Sequence, residues 1–304
     1  MKDVAVIIIN YNSSKYTLEC VEAVRAMTAE SISYEIIVVD NNSELPQYAI
    51  LKDNFPKQKD VHLYRSSINT GFGGGNMFGA AYANARYLLF LNNDAMLLND
   101  CLSILTKYMD THKNVGVCTA QNYNEHNEHV PSFDHNKGLR RLLLGRGFLE
   151  KINPKTYPKR KRIYEEPLQV NWVNGAFMFF RSDAFAVTKG FDTTIFLYYE
   201  EMDICHRLKK HGFTTILVPE AKILHYQGVS IGSSKAINKE AYISFLYVVR
   251  KNYGYIKYLF IKWYLVVVLL LKSKKRYLLS TILNDNRLAT SLRTKQKEVL
   301  LNET

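Results

Sequence analysis

The stretch NTGFGGGNMFGAA, Asn69–Ala81, carries five glycines in nine positions and then continues with small residues. Glycine-dense turns that open a helix often cradle phosphate. A dinucleotide fingerprint places G-x-G-x-x-G at the first strand–helix turn. Here the stretch follows the third strand-like run, and Asn76 stands where the third glycine belongs. The first turn itself reads NYNSSKYT and has no glycine. A Walker loop needs Gly-Lys-Ser/Thr, and no lysine follows these glycines. Taken alone, the stretch is a tight turn leading into a helix set close to a sheet, with Gly79 and Ala80 permitting the approach.

The flanking sequence supplies the sheet. VAVIII (Val4–Ile9), EIIVVD (Glu35–Asp40), VHLY (Val61–Tyr64), YLLFLNND (Tyr87–Asp94) and VGVCT (Val115–Thr119) are continuous apolar runs. Such runs suit parallel strands covered on both faces. Helical segments alternate with them: Thr17–Ala29 places Leu18, Val21 and Val24 on one face, and Asn99 is the expected N-cap before Leu102, Leu105 and Met109. The alternation predicts an α/β fold with a mostly parallel central sheet flanked by helices. Residues 121–168 are polar, basic and dotted with proline, and are expected to form a partly mobile excursion from the sheet. Order resumes at QVNWVNGAFMFFRSDAF. The helical DICHRLKKHGF follows with Gly212 as its C-terminal cap, and then the strand-like runs TTILV and AKILHY.

The 304 residues are 47% apolar, which excludes a disordered chain. Cys20, Cys101, Cys118 and Cys205 form no C-x-x-C pair, favouring buried thiols in a reducing compartment over disulfides or structural zinc. Met1–Asp3 leads straight into an apolar run, so no signal peptide is expected. The net charge of +12 is concentrated at one end: residues 250–304 carry twelve Lys/Arg against three Asp/Glu. That segment contains YIKYLFIKWYLVVVLLL (Tyr255–Leu271), broken by Lys257 and Lys262 and followed by KSKKR. A spanning helix needs about 20 predominantly apolar residues. The expectation is a helix lying in a membrane interface, with its lysines snorkelling toward anionic lipid. The alternative is a buried core helix.

Ligands of open α/β sheets sit beyond the carboxyl ends of the strands. Here those ends read Asn10-Tyr11-Asn12, Asp40-Asn41-Asn42-Ser43, Asn69-Thr70 and Asn92-Asn93-Asp94. One polar strand end is ordinary turn chemistry; four in succession indicate a polar site with the glycine stretch beside it. Together with WVNGAFMFFR, FLYYEEMDICHRLKKHGF and HYQGVS, the segments IIINYN, VVDNNS, NTGFGGGN and LFLNND occur in family order over about residues 4–232. On these motifs the chain resembles the family 2 glycosyltransferases of the GT-A (nucleotide-diphospho-sugar transferase) fold, in particular their bacterial rhamnosyltransferase-like branch.

The resemblance implies a donor site in which Asp40 reads the base or ribose over a floor formed by Asn10, Tyr11 and Asn12. Asn42, Asn69, Gly71, Gly73, Gly74, Asn76, Asn92 and Asn93 complete the donor contacts, the glycines passing under the ribose and diphosphate. NND matches the position of the family's D-x-D signature; Asn92 departs from the two-Asp form. Asp94, with His225, is implied to hold a divalent cation, Mn2+ or Mg2+. The carboxylates Glu200, Glu201 and Asp203 crowd a loop-to-helix junction, where mutual repulsion raises pKa values. The family's base aligns with Glu201, one methylene longer than the usual Asp, and Glu200 is the second candidate. Trp172, Asn174 and Gly175 would line the acceptor junction. Asp203 is assigned to the same side, although its spacing from Arg207 also suits an orienting ion pair.

The implied activity is inverting transfer of a sugar from a nucleotide-sugar donor to a glycan acceptor, lipid-linked and destined for a cell-surface polysaccharide. Rhamnose from dTDP-rhamnose is the first choice and a UDP-hexose the second. The implied location is cytoplasmic, peripheral on the inner face of a bacterial membrane. The expected division is a catalytic domain over 1–232 and a helical membrane-associating segment over 233–304; the basic stretch 137–162 is expected either to shield the site or meet an anionic lipid-linked acceptor, or equally to be a solvated loop. A nucleotide-binding oxidoreductase is disfavoured by the failed fingerprint. A nucleic-acid partner is disfavoured because the aromatics of the basic tail lie in an apolar run. Intact Asp94 and YYEEMD argue against a non-catalytic subunit. No oligomeric state is specified.

Overall fold

The structure, a computed structural model, describes residues 1–226 and 234–298. Gln227–Ser230 of HYQGVS and the boundary expected at 232 lie outside the described residues. The first half runs β1 (Lys2–Asn10), α1 (Ser14–Met27), β2 (Tyr34–Asp40), α2 (Leu45–Asp53), β3 (Val61–Arg65), α3 (Gly71–Ala80), β4 (Ala85–Asn92), β5 (Ala95–Leu97), α4 (Cys101–Thr111) and β6 (Val115–Tyr123). The short β7 (His129–Val130), β8 (Phe133–Asp134), α5 (Leu139–Leu144) and α6 (Arg146–Ile152) follow. The chain then forms β9 (Leu168–Gln169), β10 (Trp172–Val173), β11 (Phe177–Arg181), α7 (Ser182–Val187), α8 (Glu200–Lys210) and β12 (Thr214–His225). Helices α9 (Lys235–Tyr253), α10 (Tyr255–Leu270) and α11 (Leu279–Leu283) close the described chain with short 3-10 turns.

The main sheet has the order β3-β2-β1-β4-β11-β6-β12-β5. β1 to β4 are mutually parallel, β11 is antiparallel to β4 and β6, and β12 is parallel to β6. The chain lays β2 and β3 on one side of β1 and then crosses to place β4 on the other. That reversal opens the crevice in which α/β sheets bind ligands.

Side chains alternate across each strand, so a run apolar at every position must be covered on both faces. Val4, Val6 and Ile8 of β1 join Val21 and Val24 of α1 and Leu102, Leu105 and Met109 of α4 in one cluster. Ala5 and Ile7 join Ile37, Val39 and the α7–α8 layer in the other. α3 lies on this second face. A methyl added at Gly79 would sit 2.6 Å from Ile7 Cγ2 and 3.2 Å from Val39 Cγ2, so only hydrogen permits the approach.

Several expectations are corrected. The Tyr87–Asp94 run breaks at Asn93-Asp94, where the chain turns from β4 into β5. TTILV and AKILHY form one strand with a register shift between Val218 and Lys222, at Pro219 and Glu220. The N-cap of α4 is Asp100, which accepts from the Ser103 amide at 3.1 Å. Asn99 instead donates to the Glu220 carbonyl at 2.7 Å. Gly212, at φ +85° after α8, makes the expected left-handed exit. Within the excursion, Arg141 and Arg160 both reach Asp134.

The C-terminal helices build a third apolar cluster from Phe245, Leu246, Val249, Tyr258, Ile261, Leu265 and Leu269, closed by Ile195 and by Met202 of α8. One face of α10 is therefore core. The opposite face exposes Ile256, Phe260, Trp263, Val267 and Leu270. Lys262 does not snorkel: it is buried and bonds Asp285 at 2.8 Å. Among the described residues no helix is long and apolar enough to cross a membrane.

Candidate active site

At the ends of β1, β2 and β4 the polar residues form one hydrogen-bonded lattice. Asn10 donates to Asp40 at 2.8 Å and to Ser43 at 3.1 Å, and accepts from the Thr17 hydroxyl at 2.8 Å. Asn93 donates to the same hydroxyl at 2.9 Å and to Ser13 at 2.6 Å. The Arg65 guanidinium, at the end of β3, lies 3.1 Å from Asp40 and over the Tyr48 ring at 4.1 Å. Asp40 is completely buried, with its oxygens engaged by Asn10, Ser43 and Arg65. In this arrangement it orders the strand-end turn rather than facing open space. Asn12 and Asn42 adopt left-handed φ of +52° and +66°, a conformation asparagine tolerates. Tyr11 is exposed beside them.

Asn41 organises the glycine stretch. It donates to Asn69 Oδ1 at 3.1 Å and to the Gly71 carbonyl at 3.0 Å, and accepts from the Thr70 amide at 3.0 Å. Gly71, at φ +74°, has no room for a side chain: an added Cβ would lie 2.0 Å from the Phe196 carbonyl oxygen. The Phe72 amide donates to that oxygen at 3.0 Å, tying the start of α3 to the loop before α8. Gly73, Gly74 and Asn76 are buried within α3, and Asn76 bonds the Phe72 carbonyl. The contacts that demand glycine here are thus with protein, whereas the sequence suggested clearance for a ligand.

Tyr198 and Tyr199 lead into α8 with φ of +70° and +72°. Bulky residues rarely adopt that region, and it persists only where the surroundings impose it. Tyr199 packs on Phe245, and its hydroxyl accepts from Lys137 at 2.7 Å. The turn delivers Glu200 and Glu201 to the helix N-terminus, where the dipole favours acids. Glu200 is buried, with Oε1 lacking a hydrogen-bond partner. Burial, then repulsion from Glu201, pushes its pKa well above the usual carboxylate value. Burial also raises Glu201, against backbone amides that include Gly175 and against nearby Lys137. An added Cβ at Gly175 would be 2.5 Å from Glu201 Oε1, and one at Gly73 would be 3.6 Å from Glu200 Cγ. Gly175 therefore leaves room for the Glu201 carboxylate as it now lies, while the contact at Gly73 is an ordinary one.

Trp172 and Asn174 flank this point. Trp172 is partly buried between the second and third clusters, its indole nitrogen without a partner, and Asn174 caps the Ala176 amide at 3.2 Å. The Ala176 carbonyl accepts from the Asn92 amide at 3.0 Å, joining the acid-pair wall to the end of β4. Asp203 is corrected from an acceptor-facing to an orienting role. It is fully buried and bonded by Arg207 at 2.7 Å, Lys251 at 2.9 Å and Asn252 at 3.0 Å.

Asp94 and His225 meet across the sheet, Nε2 of His225 lying 3.2 Å from Asp94 Oδ1. Both are buried, and Nδ1 of His225 has no partner. An oxygen and an imidazole nitrogen are a donor set a divalent cation accepts, and Nε2 is the ring nitrogen turned toward Asp94. Among the described residues no third His, Cys, Asp or Glu completes the set. A depression of about 920 Å³ lies elsewhere, lined by Lys151, Lys159, Arg162 and Tyr164, and contains none of these groups.

The family profile described as Glycosyl transferase family 2 matches residues 5–185. The chain belongs to this family. As a glycosyltransferase it is 28% identical over 262 residues to rhamnosyltransferase WbbL of Escherichia coli K12, covering 82% of this chain and 94% of that one. A 90-residue segment, 30% of this chain and 29% of the relative, is 31% identical to an N-acetylglucosaminyl-diphospho-decaprenol L-rhamnosyltransferase of Mycobacterium tuberculosis. Two solved structures share the fold. GalNAc-T7 with UDP, GalNAc and Mn2+ matches at TM-score 0.57 and 16% identity, over 82% of this chain and 48% of that one. Staphylococcus aureus TarS 1–349 matches at 0.54 and 14%, over 96% and 73%.

The sequence reading counted Asn41 only among the polar strand ends and passed over Arg65, Thr17 and Lys137. Arg65 ends β3, where the same reasoning could have included it; Thr17 lies near the start of α1 and joins the lattice through Asn10 and Asn93. Lys137 gave no local signal, because it reaches the site through a hydrogen bond to a residue far along the chain.

Proposed function

We propose that this glycosyltransferase moves rhamnose, with inversion, from dTDP-rhamnose to a lipid-linked glycan at an anionic membrane surface. The observation that carries the reading is a backbone link: the Asn92 amide, two residues before Asp94, donates to the Ala176 carbonyl at 3.0 Å, beside Gly175, whose amide acts on Glu201. In this reading Asp94 and His225 form the donor side and Glu200 and Glu201 the acceptor side. Rhamnosyl transfer is taken from the relatives named above.

Asp94 and His225 would hold a divalent cation, which when bound supplies charge stabilisation for the departing nucleoside diphosphate. Asn10, Asn12, Asn42, Asn69, Asn92 and Asn93 offer amide groups to base, ribose and diphosphate, and Asp40 fixes the turn that presents them. Glu201, its basicity raised by burial, accepts the proton from the acceptor hydroxyl as that oxygen bonds to the anomeric carbon. The anomeric carbon–oxygen bond to the diphosphate breaks on the opposite face. Trp172 and Asn174 line the acceptor side. The exposed apolar stripe of α10, continued by exposed Lys272, Lys274, Lys275 and Arg276, matches the amphipathic pattern of an interfacial anchor.

The test is donor-dependent thermal stabilisation followed by transfer. The protein is incubated with dTDP-rhamnose and with UDP-hexoses, each with and without Mn2+ or Mg2+. The expected result is cation-dependent stabilisation by dTDP-rhamnose and transfer to a GlcNAc-diphosphate-lipid acceptor. Stabilisation and transfer with a UDP-hexose alone would replace the sugar assignment. Absence of transfer from every donor would overturn the reading.

A further inference from the structure

The excursion carries a cationic cluster that the donor-side chemistry does not use. Arg141 lies 3.0 Å from the Asp134 carboxylate through Nη1, Arg160 lies 3.2 Å from it and Arg146 lies 3.9 Å from it. Lys137 feels the same carboxylate and all three arginines. Four cations thus converge on Asp134; Glu150, which faces His135 at 3.2 Å, also acts on Arg160, and Glu201 on Lys137, leaving the cations in excess. Arg141 is buried and the Arg160 side chain is 16% exposed, so the surplus positive charge is only partly solvated. A cluster in that state is stabilised by an added dianion, which accepts several charge-assisted hydrogen bonds at once.

Its position says which dianion. Asp134 is paired directly opposite Trp172 in the β8–β10 hairpin, and Lys137 bonds Tyr199 and acts on Glu201. The cluster therefore adjoins the acid pair on the acceptor wall. The Asp94–His225 pair belongs to the β5–β12 edge. Beside the cations, α5 and α6 expose Leu143, Leu144, Phe148 and Ile152, and α5 is joined to α10 by the Tyr264 hydroxyl, which donates to the Leu142 carbonyl at 2.7 Å.

We propose that Lys137 and Arg146, framed by Arg141 and Arg160, bind the diphosphate of a prenyl-diphosphate-linked acceptor, with its hydrocarbon chain leaving along exposed α5 and α6. The proposal rests on the lipid-linked acceptor reading and adds the residues that recognise its charged link. The two diphosphates of the reaction are then kept apart by the kind of cation they meet: the donor's would meet a divalent cation held by Asp94 and His225, and the acceptor's meets guanidinium and ammonium groups.

The protein has two tryptophans, Trp172 and Trp263, so Trp263→Phe leaves only the one in the acceptor wall as a fluorescent reporter. In this background, in detergent, the protein is titrated with farnesyl diphosphate, farnesol and phosphatidylglycerol micelles. Saturable quenching by farnesyl diphosphate is expected, with farnesol and phosphatidylglycerol at least about tenfold weaker. Arg146→Glu and Lys137→Ala should each weaken farnesyl diphosphate by about tenfold or more, while cation-dependent stabilisation by the nucleotide sugar stays unchanged. Equal binding of farnesol or phosphatidylglycerol, or unchanged affinity in both variants, would overturn the diphosphate site and leave sugar transfer standing. Loss of nucleotide-sugar stabilisation in both variants, with each still folded by circular dichroism, would also overturn it by placing the cluster on the donor side.

Discussion

Nε2 of His225, the last residue of β12, lies 3.2 Å from the carboxylate of Asp94, in the turn after β4. The contact ties two distant parts of the chain at the edge where a donor diphosphate would arrive. Asp94→Asn and His225→Ala should each abolish cation-dependent stabilisation by the donor and lower transfer by about 100-fold or more. Circular dichroism and thermal melts without cation should remain close to those of the parent. Full cation-dependent stabilisation in both variants would remove the pair from the diphosphate site.

Glu201→Gln should retain donor binding and lose transfer by about 100-fold to 10,000-fold, the range of general-base catalysis. Single-turnover transfer measured beside donor stabilisation separates the two effects. Unchanged transfer would move proton acceptance to Glu200.

Glu200→Gln reads out through pH. The folded-state pKa of Glu200 lies well above its ordinary value, so the folded protein binds a proton that the unfolded chain has released. Stability is therefore lost as pH rises from the ordinary carboxylate value toward the raised one. The amide carries no such penalty. The variant should match the parent near pH 4 and melt higher at pH 7–8, by about 2–4 °C for each kcal/mol relieved. Equal melting differences at both pH values would show that Glu200 does not titrate in this window.

Gly79→Ala tests the close contact of α3 with the sheet. Alanine normally favours a helix over glycine by about 1 kcal/mol. Here the new methyl meets Ile7 at 2.6 Å, and overpacking costs about 1–3 kcal/mol. Chemical denaturation should show net destabilisation; a gain would mean that α3 can shift outward.

Phe260→Glu combined with Trp263→Glu on the exposed face of α10 should abolish sedimentation with phosphatidylglycerol vesicles while leaving the thermal melt unchanged. The parent should sediment less as salt rises, because screening weakens the basic contribution. Equal sedimentation of parent and variant would place membrane contact elsewhere.

Much of the frame could be read directly because its signals are local. Apolar runs such as Val4–Ile9 announce strands covered on both faces, and Asn or Asp at four strand ends announces the edge where they meet. What escaped depends on contacts made through space. Nothing near Asp40 advertises that Arg65 would occupy its carboxylate. Asp203 finds Arg207 one turn away, as its spacing suggests, but Lys251 and Asn252 arrive from α9. Lys262 interrupts an apolar run as a surface lysine would, yet Asp285 lies close enough to hold it inside. Caps slip by one residue because Asn99 and Asp100 are both competent, and only the path of β12 decides that Asn99 is needed at Glu220.

Asp203 fastens α8 to α9 through Lys251 and Asn252, while Ile204, Cys205 and Leu208 seat the same helix on the sheet. The helix that begins with Glu200 and Glu201 is therefore the mortise between the sheet and the C-terminal helices, and a substitution that loosens either joint is felt at its acidic end.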